Sequence, residues 1–153
     1  MMHTAISNPR VWERWREARR LVLLEAFEDS ATGARVKEFR QDLFQQLGQR
    51  CQIIEHVWLC NMFRFHELQE IAAEEAAVAD LVVIAAHDAT SLSEEVKGWM
   101  DLWLRQKSTR NAVLLALLES APEEGPGPIE VYLEDVARRG GMEFVVDTRT
   151  TAE

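Results

Sequence analysis

The sequence predicts an α/β domain: a parallel sheet of five strands with helices on both faces. Three observations carry this. Nearly unbroken apolar runs recur at 21–26, 81–86 and 111–119, and a strand without polar alternation is one covered on both sides, as in a parallel sheet. Segments with apolar residues at three- and four-residue spacing lie between those runs, the signature of amphipathic helices. The two patterns alternate along the chain, and right-handed crossovers between parallel strands then place helices on both faces.

Residues 1–20 read as an extra N-terminal helix. Asn8 and Pro9 suit the cap and first turn, and Val11, Trp12, Trp15 and Ala18 form an apolar stripe. Five arginines against two glutamates make this segment basic. It either packs on its own domain with snorkelling arginines, or docks a protein partner or a dimer mate through Trp12 and Trp15. The domain proper spans 21–147. Strand one covers 21–26, a loop 27–33 and helix one 34–47, where Val36, Phe39, Leu43, Phe44 and Leu47 recur with helical spacing and Gly48 is the stop. Strand two, 53–59, carries Glu55 and His56 and so reads as an edge strand. Helix two, 66–79, turns Leu68, Ile71, Ala72 and Ala76 inward and Glu67, Glu70, Glu74 and Glu75 to solvent. Strand three covers 81–86. Ser91 and Glu94 form a capping box ahead of helix three, with Val96, Trp99, Met100, Trp103 and Leu104 inward. Strand four covers 111–119. The acidic, proline-rich 120–128 is a loop. Helix four, 129–139, stops at Gly140 and Gly141, and strand five covers 142–146. Residues 148–153 read as a frayed tail.

The chain has 153 residues and a net charge of −9, which argues against nucleic acid and against an anionic membrane surface. No apolar run approaches the roughly 20 residues that span a bilayer. The N-terminus lacks the basic and apolar regions of a secretory signal. The two cysteines, Cys51 and Cys60, fit a reduced cytoplasmic protein and match no zinc spacing.

An edge-like strand two, with strands one, three and four fully apolar, predicts the order 2-1-3-4-5. The topological switch then falls between strands one and three, where open parallel sheets bind ligands. One side is lined by Glu28, Asp29, Ser30, Thr32 and Gly33, the other by His87, Asp88, Thr90 and Ser91. Ser30, Thr32, Gly33, His87, Thr90 and Ser91 are the candidate ligand-binding residues. Glu28, Asp29, His87 and Asp88 are the candidate catalytic set. An imidazole beside carboxylates is a usable general base, and the same oxygens suit Mg²⁺. The competing reading is that these are capping residues bonded to backbone.

Two families share this architecture. Ser30-Ala31-Thr32-Gly33-Ala34-Arg35 resembles the phosphate loop of the flavodoxins, roughly S/T-x-T-G-x-T, with Arg35 where that family has a small hydroxylated residue. That resemblance implies FMN as cofactor. The chain also resembles the receiver domains of two-component signalling. There the family's acidic pair falls on Glu25 and Ala26, its phosphorylated aspartate on Ala85, its strand-four hydroxyl on Leu117 and Leu118, and strand five offers no lysine. This second resemblance implies a pseudo-receiver that binds partners and is not switched by phosphate. The sequence therefore reads as a cytoplasmic, non-catalytic binding or regulatory module without a cofactor. The alternative is a small-ligand protein, binding FMN or another phosphate-bearing molecule, or a small enzyme, using the crest between strands one and three.

Overall fold

The computed structural model describes residues 13–88, 91–107, 111–120 and 125–150. Five strands, β1 (Arg20–Phe27), β2 (Gln52–Leu59), β3 (Leu81–His87), β4 (Val113–Ser120) and β5 (Glu143–Thr150), form one sheet in the order β2-β1-β3-β4-β5. Every neighbouring pair is parallel. The connecting helices are α1 (Ser30–Leu47), α2 (His66–Ala77), α3 (Glu94–Gln106) and α4 (Pro128–Gly140), with a 3-10 helix at Cys60–Arg64. No helix among the described residues is long and apolar enough to cross a membrane.

The sheet divides the core in two. Even-numbered residues of β1, β3 and β4, such as Leu24, Ile84 and Leu114, pack under α2, α3 and α4. Odd-numbered ones, such as Leu23, Val83 and Leu115, pack under α1. On the three-helix side Phe63, Trp99 and Trp103 stack with centroids 4.5 and 5.6 Å apart, which adds aromatic attraction to a large buried area. α2 approaches closely because the residues it buries are Ala72, Ala73, Ala76 and Ala77. That choice of face leaves Ile71 46% exposed, against the inward position expected of it, and Phe44 of α1 is likewise 43% exposed.

α1 is the one helix spanning the other face among the described residues. Beyond it, residues 13–17 make a helical turn, and Trp15 is 6% exposed within the same cluster as Phe39 and Leu43. Arg14 ties this turn to the base of the sheet, donating to the Asn111 carbonyl at 2.7 Å and pairing with Glu143. For Trp15 the expectation of a docking contact therefore gives way to burial in its own domain. Asn8, Pro9, Val11 and Trp12 lie outside the described residues.

Four details differ from expectation. α1 begins at Ser30 rather than 34, because Asp29 caps it. Ser93, not Ser91, caps α3, its side chain accepting from the Val96 amide at 3.2 Å. Glu75 is not purely solvated, since it accepts from Trp58 Nε1 at 2.8 Å and lies 3.4 Å from His56. β5 runs to Thr150 rather than fraying after 147, pairing with β4 as far as Ser120.

Trp15→Ala is expected to lower unfolding stability by about 3 kcal/mol, measured by urea denaturation. A loss under about 1 kcal/mol would mean that the N-terminal turn rests on the domain without holding it.

Candidate functional site

The crest, at the C-terminal ends of the strands, holds most of the residues singled out in the sequence. β1 leads into Asp29 in extended conformation (φ −157°), and its carboxylate accepts from the Thr32 amide at 3.0 Å. The Thr32 hydroxyl in turn accepts from the amides of Glu28 and Asp29, both at 3.0 Å. This reciprocal box satisfies amides that an uncapped helix would leave bare. Residues 30–33 are therefore the first turn of α1 and not an open loop. Thr32 is fully buried. Gly33 is dictated by packing: a Cβ there would lie 2.9 Å from the Phe27 ring.

Across the switch point, Glu28 accepts from the His87 amide at 2.9 Å, and His87 Nε2 sits 2.9 Å from Asp29 Oδ2. The Thr32 amide first, then His87, hold the Asp29 carboxyl below its ordinary pKa. Both side chains of this pair are more than two-fifths exposed, so it is worth little in stability. Glu28, Asp29 and His87 thus converge as expected.

Asp88 faces elsewhere. It is 6% exposed and accepts from the amides of Gly127, Ile129 and Glu130 at 3.1, 2.8 and 3.4 Å. It caps α4 from a different loop. Pro128 at the first position of α4 has no N–H to offer, and Asp88 gathers the donors on either side of it. A Cβ on Gly127 would meet the carboxyl group at 2.5 Å. Ser91 is exposed, does not cap α3, and makes no bond to this group; Thr90 lies outside the described residues.

Arg35, the departure from the phosphate-loop pattern, is the residue whose role the sequence left unread. Its side chain is 3% exposed. It donates to the carbonyls of Leu118 and Asp147 at 2.6 and 2.8 Å and pairs with the carboxylates of Glu119 and Asp147 at 3.2 and 3.0 Å. The signal was phase: Thr32 and Arg35 share the buried stripe of Val36, Phe39 and Leu43. Beside Arg35 lies an open cleft of 360 Å³, whose walls include His87, Glu119, Glu38 and Arg149. Arg149 pairs with Glu38 at 2.6 Å.

Glu25, matched above to an acidic signalling position, is not at the crest surface. It is fully buried under α1, 3.3 Å from Arg40, which also pairs with Glu55. Burial first, and then the neighbouring Glu55 charge, push its pKa up to about 8. Burial likewise pushes the Cys60 thiol up to about 12 and raises that of Cys51, so neither free cysteine is a ready nucleophile. Among the described residues no three His, Cys, Asp or Glu side chains gather as metal ligands. Among the described residues, the crest offers one imidazole held by a carboxylate, with no hydroxyl or thiol bonded to it as a nucleophile would be.

No family model matches the chain, and no curated protein matches it. Among solved structures it is similar to a flavodoxin of Streptococcus pneumonia TIGR4, at 14% identity with a TM-score of 0.56, over 87% of each chain. The fold is flavodoxin-like.

Two outcomes test these assignments. Asp88→Ala should cost about 1–2 kcal/mol and speed hydrogen exchange at the Ile129 amide; unchanged exchange would refute the cap. For Glu25, a folded-state pKa above the unfolded value near 4.5 means that its stabilisation is complete below that value and is lost as pH rises through about 8. Its contribution to the decline approaches about 1.4 kcal/mol per pH unit. Glu25→Gln should flatten stability between pH 5 and 8 in urea melts, and an unaltered slope would place the proton elsewhere.

Proposed function

We propose that this chain is a non-catalytic binding or regulatory module, laid out like a receiver domain without its phosphorylation site, and that it works in the cytoplasm. The observation that carries the reading is the fastening of both crest aspartates: Asp29 caps α1 and Asp88 caps α4. A phosphoacceptor carboxylate must be free to meet phosphate and Mg²⁺, whereas Asp88 is buried against three amides and the oxygens of Asp29 are engaged by the Thr32 amide and His87. The strand-three position that matches the phosphoacceptor is Ala85, fully buried between Phe27 and Leu117 in register. Two free, buried cysteines support a reducing compartment.

The fit of FMN can be judged from the donors. A phosphate on this loop needs backbone N–H groups and hydroxyls at the start of α1. Here Asp29 takes the Thr32 amide, Thr32 turns its hydroxyl back on the chain, and a carboxylate stands where the dianion would. The residues do not fit the group. A second reading, a small polar ligand at the crest, draws on a different feature, the cleft beside Arg35, Arg149 and His87.

Titration with FMN should leave its visible absorbance unchanged, and beryllofluoride with Mg²⁺ should leave the amide spectrum unchanged. Uptake of FMN with a spectral shift would overturn the non-catalytic reading, as would beryllofluoride-induced shifts centred on β3. Shifts at His87 and Glu119 with inorganic phosphate would favour the cleft.

A further inference from the structure

We infer that the base of the sheet, the end opposite the crest, is a docking surface for an acidic protein segment. The inference rests on the reading of the chain as a binding module and names where, and what, it binds. Arginines elsewhere on the domain are mostly paired: Arg14 with Glu143, Arg35 with Glu119 and Asp147, Arg40 with Glu25 and Glu55, Arg138 and Arg139 with Asp135, Arg149 with Glu38. Arg64, over the Phe65 ring, and Arg105 of α3 form no ion pair among the described residues either, but Arg16, Arg19, Arg20 and Arg50 lie at one end. All four are exposed, and none forms an ion pair among the described residues.

The fold brings all four to the base of the sheet. Arg16 and Arg50 line one cleft of 450 Å³ between the N-terminal turn and the end of α1. The Gln52 amide donates to the Arg19 carbonyl at 2.8 Å, and Arg20 stands opposite Gln52 in the β1–β2 register. The α1 dipole accounts for a cation at Arg50, but Arg19 and Arg20 lie at the start of a strand. A protein of net charge −9 therefore holds at one end four guanidinium groups with no ion pair among the described residues.

The surroundings select the partner. Gln45, Gln46 and Gln49 line the same cleft, and their amides add neutral donors beside guanidinium forks that suit carboxylates. Glu17 also lines it, which tempers the field and favours a short contact over a long polyanion. A nucleic acid extending past the base would meet the exposed Glu67, Glu70 and Glu74 of α2 and the overall negative charge. A short run of aspartates or glutamates covers the base alone.

The test uses the full chain and a fluorescein-labelled hexaglutamate peptide, followed by anisotropy at 50 and 200 mM NaCl. Binding should weaken with salt and fall more than tenfold in Arg16→Glu/Arg50→Glu. The charge-matched variant Lys37→Glu/Arg64→Glu, altered at exposed sites nearer the crest, should bind within about twofold of the wild type once its general charge effect is screened at 200 mM. Circular dichroism checks that both variants fold. No binding at 50 mM NaCl, equal loss in both variants, or tighter binding of single-stranded DNA of matched charge would each overturn the proposal. None of these results bears on the crest experiments with FMN and beryllofluoride, so the two readings fail separately.

Discussion

A single buried cation holds the crest together. Arg35 reaches from the second turn of α1 to the carbonyls that end β4 and cross β5, and two carboxylates neutralise it there. A guanidinium taken out of water without partners would cost several kcal/mol, so each of its contacts constrains the others. β5 has to continue to Asp147 and beyond, β4 has to present Glu119, and α1 has to start early enough to place Arg35 over both. The Asp29 cap supplies that early start, and the Arg35 contacts tie α1 to the ends of β4 and β5.

The same economy runs through the rest of the crest. Glu28 holds the β3 terminus, Asp29 holds α1, Asp88 holds α4 and Thr32 closes the first of these caps. In open α/β sheets the crest is where ligand chemistry concentrates. Here the polar residues at the switch point bond chiefly to the protein itself, and four arginines without an ion pair among the described residues lie at the opposite end. A flavodoxin-like fold does not carry a flavodoxin's activity with it, because function lies in the site and not in the sheet.

Much of the fold was legible because burial on both faces leaves a strong local mark. Leu81–His87 is apolar to its last residue, and the strand order followed from the polar residues of β2. What escaped was long-range. Ser30, Thr32 and Gly33 have the composition of a loop, yet they form a helical turn once Asp29 and Phe27 are in place. Asp147 and Arg149 look like a polar tail until Arg35 and Glu38 stand opposite them. Ser91 has the glutamate of a capping box three residues on, yet it is Ser93 that caps α3, its side chain accepting from the Val96 amide. At the site, the grouping of Glu28, Asp29 and His87 was readable from topology, whereas Asp88 turned to a helix that lies 40 residues further along the chain.

The contact between Asp88 and Gly127 also bears on how this domain can change over generations. The glycine lies against the carboxyl group, with no room for a Cβ, and the carboxyl group serves amides that no other side chain among the described residues reaches. Neither residue can drift alone. A larger residue at 127 expels the cap, and a lost cap removes the reason for the glycine. In related chains the two positions should be inherited as a pair, and the proline between the amides they organise should travel with them.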